Sequence, residues 1–115
     1  MEKKLKILVM GLPGSGKSYL SERLVKEING DWINADEVRK KANDWDFSLE
    51  GRIRQANRMK QLSKEAIKNG KHAVADFVCP TNKTRKDFNP DLLIWMKSLS
   101  DVLLFMIIKL LDKDI

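Results

Sequence analysis

The stretch "LKILVMGLPGSGKS", Leu5 to Ser18, decides the fold. Its first part, Leu5 to Met10, is nearly continuous in apolar character. That pattern suits a strand covered on both faces, as in a parallel sheet. Its second part, Gly11 to Ser18, holds three glycines, two serines, one proline and one lysine. No packed element favours that composition. The segment that follows, "KSYLSERLVKEI", places Leu20, Leu24 and Ile28 at i, i+4 and i+8, one face of a helix. A glycine-rich loop therefore joins a buried strand to an amphipathic helix.

Outward from there, strands and helices alternate. "NGD" (Asn29 to Asp31) ends the first helix, with Gly30 expected as the stop. "WIN" reads as a short strand. "ADEVRKKA" reads as a short helix with Asp36 and Glu37 in its first turn, where the dipole favours carboxylates. "NDWDF" is a loop. Ser48 is placed to cap a long helix, Leu49 to Lys68, and Asn69 with Gly70 closes it. "KHAVADFV" (Lys71 to Val78) reads as another buried strand. "CPTNKTRKDFNP" reads as a polar loop or one helical turn, and Asp91 to Leu99 as a strand. Asp101 to Leu111 fits strand or helix equally. This order predicts an α/β fold: a mainly parallel sheet flanked by helices in three layers. No repeat, low-complexity stretch or linker interrupts it, so residues 1–115 are expected to form one domain.

Composition bounds the partners. Hydrophobic residues make up 43% and charged residues 33%, a globular rather than a disordered balance. The net charge of +6 suits solubility, and it also suits a polyanionic partner such as a nucleotide. Cys79 is the single cysteine, so no internal disulfide forms, and a reducing, cytoplasmic setting is expected. The N-terminal apolar run is too short for a secretory signal, and Val102 to Ile108 is far below membrane-spanning length. A membrane partner is not expected.

Gly11 to Ser18 fits G-x-x-x-x-G-K-[ST], set between a strand and a helix where the chemistry needs it. Glycines let successive backbone N–H groups point inward at phosphate, because no Cβ blocks the approach. The helix that starts at Lys17 adds free N–H groups and a positive dipole end. Lys17 can reach the outer phosphates, and the Ser18 hydroxyl can serve as a ligand for Mg²⁺. The expected cofactors are ATP and Mg²⁺. They would be held by Gly11, Gly14, Ser15, Gly16, Lys17 and Ser18, with Tyr19 next in the helix. The fold is then expected to be that of the P-loop NTPases. "TNKT" (Thr81 to Thr84) lacks the Asp of a guanine-reading motif, so a GTPase is not favoured. A small chain with this loop near its N-terminus reads as a small-metabolite kinase, with Lys17 and Asp36 as its catalytic residues.

Other residues offer a second constellation. Asp36 could orient Mg²⁺ or accept a proton from an attacking hydroxyl; the plainer reading is a helix-start carboxylate. Arg39 lies three residues on and can share its helix face. Arg52, Arg54 and Arg58 put guanidinium groups on one helix, with Gln55 among them, and these suit phosphate, sulfate or carboxylate. Taken alone, they describe a solvated basic face. Phe47 could stack on a base. Asp76 falls near the end of a strand, where ligands sit in open α/β sheets, and could be a second Mg²⁺-associated carboxylate. His72 reads as structural or exposed. Trp32, Trp45 and Trp95 read as core or loop anchors. A nucleic-acid partner has no aromatic-basic motif behind it.

Together these segments resemble the adenylylsulfate kinases, which phosphorylate the 3′-hydroxyl of adenosine 5′-phosphosulfate. The resemblance runs from about Leu5 to Asp87. "GLPGSGKS" is similar to that family's phosphate loop. "INADEVR" is similar to D-G-D-x-[IV]-R, with Asp36 on the second Asp and Arg39 on the Arg. "DFSLEGRIRQANR" is similar to G-F-S-x-x-x-R-x-x-N-x-x-R. Phe47 falls there on the substrate-stacking Phe, Arg52 on a substrate-contacting Arg and Arg58 on a further Arg. "FVCP" (Phe77 to Pro80) resembles F-[IV]-S-P. The resemblance implies that Asp36, Arg39, Phe47, Arg52, Gln55, Val78, Cys79 and Pro80 face the acceptor; Ser18, Asp36 and Asp76 are the candidate metal ligands read above. It also fits a homodimer and a role in sulfate assimilation. Asn34, Ala35, Gln55, Cys79 and Asn82 depart from the family's Asp, Gly, Asn, Ser and Arg. No basic lid segment follows, so slow transfer, or competing ATP hydrolysis, is expected. The rivals are a nucleoside or polynucleotide kinase and an ATP-binding remnant without turnover.

Overall fold

The computed structural model describes residues 3–12, 14–78 and 81–96. Along the chain run β1 (Lys6–Met10), α1 (Lys17–Ile28), β2 (Gly30–Asn34), α2 (Ala35–Ala42), α3 (Leu49–Lys68), β3 (His72–Asp76), α4 (Asn82–Phe88) and β4 (Leu92–Trp95). The four strands form one sheet in the order β2-β3-β1-β4, and every neighbouring pair is parallel. The expected α/β architecture is therefore present: helices cover both faces of a parallel sheet.

Alternation along the strands sorts the core into two layers. Ile7 and Val9 of β1 and Val74 of β3 pack with Leu20, Leu24 and Ile28 of α1, the stripe read from the sequence. Leu8, Ala73, Ala75 and Ile33 face the other way, against Val38 of α2, Met59 and Ala66 of α3 and Phe88. Phe88 meets Phe77 edge to face, with ring centres 5.6 Å apart. Burying a side chain such as Leu8 or Phe88 contributes about 1.5–3 kcal/mol.

Several boundaries differ from the sequence expectation. Asn29, not Gly30, ends α1: it takes the left-handed conformation (φ 54) and its N–H reaches the Val25 carbonyl. An asparagine tolerates that conformation because its short polar side chain bonds locally. Gly30 is already in β2, which is five residues long instead of three. Residues 82–88 form a helix rather than a loop or a single turn, with the Thr81 hydroxyl accepting the Thr84 N–H at 3.0 Å. The C-terminal strand is described over Leu92–Trp95. The segment Asp101 to Leu111, which periodicity left open, lies outside the described residues, as do Cys79 and Pro80. His72 is structural: its Nδ1 accepts the Leu5 N–H at 2.9 Å. Among the described residues, no helix is long and apolar enough to cross a membrane.

The parallel register brings the carboxyl ends of three strands to one edge. Asn34 lies opposite Asp76, and Asp76 opposite Val9, one residue before the end of β1. Ligands in open α/β sheets bind outside that edge.

Candidate functional site

At the carboxyl edge, β1 runs into the glycine loop. Gly11 is there because nothing larger fits: a Cβ on it would lie 2.5 Å from the Met96 carbonyl oxygen and 2.7 Å from Ser15 Oγ. The loop feeds α1, whose N-cap is Gly16, with no side-chain cap and no acidic residue in the first turn. The other described helices differ. Asn34, Ser48 and Thr81 each cap one with a side-chain oxygen. The first N–H groups of α1 therefore remain open to an anion, which is what phosphate requires. Lys17 Nζ donates to the Leu12 carbonyl at 3.2 Å, across the mouth of the loop.

A cavity of about 640 Å³ opens beside the loop. Gly14, Lys17 and Ser18 form one wall. Asp36, Arg39, Phe47, Arg52, Gln55, Asp76 and Val78 complete it, with Asn34 and Phe77. Its size suits a small-molecule ligand. Gly11, Ser15, Gly16 and Tyr19 do not line it. Ser15 is buried behind the loop, and Tyr19 is exposed on α1 with the Arg23 guanidinium 4.3 Å above its ring. Four separated segments thus meet in one place.

The far wall is assembled by hydrogen bonds that the sequence did not announce. Arg39 is buried, and its Nη1 donates to the carbonyls of Asp44 (2.9 Å) and Asp46 (3.2 Å). The guanidinium lies 4.3 Å from the Phe47 ring centre and backs that ring. Phe47 as a whole stays 58% exposed and is accessible to a partner. Gln55 is buried; its Nε2 donates to the Ala35 carbonyl, and its Oε1 accepts from Arg58, both at 2.9 Å. Gly51, in the first turn of α3, admits the loop: a Cβ there would lie 2.1 Å from the Asp46 carbonyl oxygen.

The basic stripe of α3 divides in two. Arg54 pairs with Asp44 (3.1 Å) and Asp46 (2.9 Å), and Arg58 also pairs with Asp44. These two arginines organise the α2–α3 loop. Arg52 has no such partner among the described residues, and it lines the cavity. Arg54, then Arg58, hold the Asp44 carboxyl well below the usual carboxylate range. Hydrogen bonds from Ser48, then Arg54, bring Asp46 down to about 2. Folded-state values below the unfolded ones stabilise the fold above the unfolded value, near 4, and lose that contribution as pH falls toward 2. The melting temperature is expected to drop between pH 4 and pH 2. Asp44→Asn is expected to lower it modestly at pH 7 and to flatten that drop. A pH profile in Asp44→Asn parallel to that of the unaltered protein would contradict this.

Asp76 is the buried carboxylate of the site, 3% exposed. Burial raises its pKa, against hydrogen bonds from Trp32, Asn34 and Ser21 and the charge of Lys17. Trp32, read from the sequence as a simple anchor, donates its Nε1–H to Asp76 Oδ2 at 2.5 Å. The signal was in the register: on β2, Trp32 and Asn34 alternate onto one face, and Asn34 lies opposite Asp76.

Comparison with known proteins agrees with this geometry. A family model described as an AAA domain, AAA_33, matches residues 7–89. A probable adenylyl-sulfate kinase of Aeropyrum pernix is 30% identical over 95 residues, covering 74% of this chain and 50% of that protein. The chain spans half or less of the length of the curated relatives it matches. A structure of the Mycobacterium tuberculosis APS kinase in complex with AMPPNP and APS superposes with a TM-score of 0.67 at 23% identity, over 97% of this chain and 74% of that one. A sugar kinase from Janibacter sp. superposes with a TM-score of 0.70 at 15% identity, over 90% of this chain and 66% of that one. The fold is that of the P-loop kinases.

Proposed function

The chain belongs to the AAA_33 family of AAA domains, and from that premise we propose that it is an ATP-dependent kinase acting on the hydroxyl of a small anionic nucleotide. The acceptor best supported is adenosine 5′-phosphosulfate, phosphorylated at its 3′-hydroxyl. One observation carries the reading. The cavity sets an exposed aromatic side chain (Phe47), a guanidinium unpaired among the described residues (Arg52) and an exposed carboxylate (Asp36) beside the phosphate loop. A base, an anionic group and an attacking hydroxyl are the three things an acceptor nucleotide presents to those groups. The resemblance to the A. pernix protein points the same way.

In this reading, Gly14 to Ser18 and the open N-terminus of α1 bind the triphosphate. Lys17 neutralises charge on the transferring group. Phe47 stacks on the acceptor's base with Arg39 behind it, and Arg52 holds the acceptor's anionic group. Gln55 acts on the acceptor side by fixing the start of α2, which presents Asp36. Asp36 accepts the proton of the attacking hydroxyl. Ser18 and Asp76 offer hard oxygen donors on one cavity, and such donors suit Mg²⁺ shared with phosphate oxygens, which leaves Asp36 free to act as the base. Among the described residues, no group of three or more His, Cys, Asp or Glu could hold a metal by itself, so the phosphates are needed to complete the site. Bound there, Mg²⁺ would supply charge neutralisation for the triphosphate.

The test is transfer of labelled γ-phosphate from ATP with Mg²⁺. Adenosine 5′-phosphosulfate, a nucleic-acid 5′-end, a sugar and no acceptor run in parallel. Labelled 3′-phosphoadenylylsulfate is the expected product. Transfer to the nucleic-acid end or the sugar alone would replace the acceptor and keep the kinase. Saturable ATP binding without any transfer would leave a nucleotide-binding domain.

A further inference from the structure

Asp76 is held in an unusual way for a buried carboxylate. Removing it from water demands hydrogen-bonding partners. Among the described residues, the two side chains that donate to it within hydrogen-bonding distance come from one neighbouring strand, and the neutral Ser21 hydroxyl of α1 acts on it more weakly. Trp32 Nε1 donates to Oδ2 at 2.5 Å, and Asn34 Nδ2 stands 3.3 Å from each oxygen. Asn34 is opposite Asp76 in the β2–β3 register, and Trp32 lies two residues before it on the same face. Both donors are neutral. They orient the carboxylate without cancelling its charge, as an arginine would. Asn34 is itself fixed at its other end, where its Oδ1 accepts the Glu37 N–H at 3.0 Å and caps α2. Its amide is therefore oriented from both sides.

We propose that Trp32 and Asn34 are positioning residues that hold the Asp76 carboxylate on the cavity wall it shares with Lys17 and Ser18, as an anionic oxygen pair for the Mg²⁺ of a nucleotide. This rests on the kinase reading above. Strand β2 thus works as a bracket: only Asn34 of it lines the cavity, yet it sets the carboxylate there. A hydrogen bond to a charged group is worth a factor of about ten or more, and that factor is expected in the Mg²⁺ affinity if these bonds are what aim the carboxylate.

The experiment has two readouts. The first needs no ligand. In protein carrying ¹⁵N-indole tryptophan, the Trp32 Nε1–H resonance is assigned by its loss in Trp32→Phe. In Asp76→Asn it is expected to move upfield, and its hydrogen to exchange about tenfold faster. A resonance that neither moves nor loses protection overturns the proposal. The second readout is a Mg²⁺ titration of binding to a non-hydrolysable ATP analogue. Trp32→Phe is expected to raise the Mg²⁺ midpoint about tenfold while leaving metal-free nucleotide affinity unchanged. Asn34→Ser keeps a capping oxygen for α2 and is too short to reach Asp76; it should raise the midpoint as well. In the Asp76→Asn background neither change should add anything, as a shared interaction requires. Unchanged midpoints, or effects that add to that of Asp76→Asn, overturn the proposal. Nucleotide binding by the unaltered protein that ignores Mg²⁺ overturns the kinase reading and the proposal with it, even where the indole resonance behaves as expected.

Discussion

Lys17→Ala is expected to lower phosphoryl transfer by roughly a hundredfold to a thousandfold, with nucleotide affinity falling alongside. The reason is positional. Lys17 begins α1 at the loop, and its ammonium lies across the mouth, bonded to the Leu12 carbonyl. A cation aimed at developing negative charge in a partly enclosed site is worth about 2.7–4 kcal/mol when removed. Stability should change little, because the side chain lies outside both core clusters. Equilibrium nucleotide binding, steady-state transfer and a thermal melt separate these effects. Transfer preserved within threefold, in a protein that melts normally, would remove Lys17 from the mechanism.

Asp36→Asn is expected to behave differently. It should spare ATP binding and lower turnover by roughly a hundredfold or more, the usual contribution of a general base. Asp36 sits in the first turn of α2, exposed and lining the cavity. The Asn34 side chain already caps that helix, so loss of the Asp36 charge leaves the helix start in place. KM for ATP should hold while kcat falls, the pattern of an interaction made in the transition state. Full turnover in Asp36→Asn would leave Asp36 as a helix-start carboxylate and nothing more.

Much of this was legible in the sequence for definite reasons. The apolar run before Gly11 could only be a covered strand, and the Leu20, Leu24 and Ile28 stripe could only face it. Ser48 and the stripe through Met59 and Ala66 marked α3 to within a residue at both ends. Asp36, Phe47 and Arg52, singled out by their motifs, line one cavity. What stayed hidden was tertiary. No local pattern says that Arg54 and Arg58 turn to Asp44 while Arg52 does not. That division depends on the α2–α3 loop folding onto Gly51, which only the three-dimensional packing reveals. Helix α4 was missed because its seven residues carry almost no apolar periodicity, and its strongest signal is the Thr81 cap. Trp32 was underread because a tryptophan on a strand is ordinarily core.

The acceptor wall has an evolutionary side. Asp44 receives Arg54 and Arg58, Arg58 holds Gln55, Gln55 holds the Ala35 carbonyl, and Arg39 ties the same loop while backing Phe47. A substitution at any one of these positions leaves another polar group stranded. In the proposed reading, the part of acceptor preference set by this wall is therefore not adjustable one residue at a time. Lineages exploring new acceptors would have to exchange the loop and the first turns of α3 as a block, whereas Arg52 and the exposed Phe47 can be retuned singly. Epistasis would be strong within the wall and weak at those two tips.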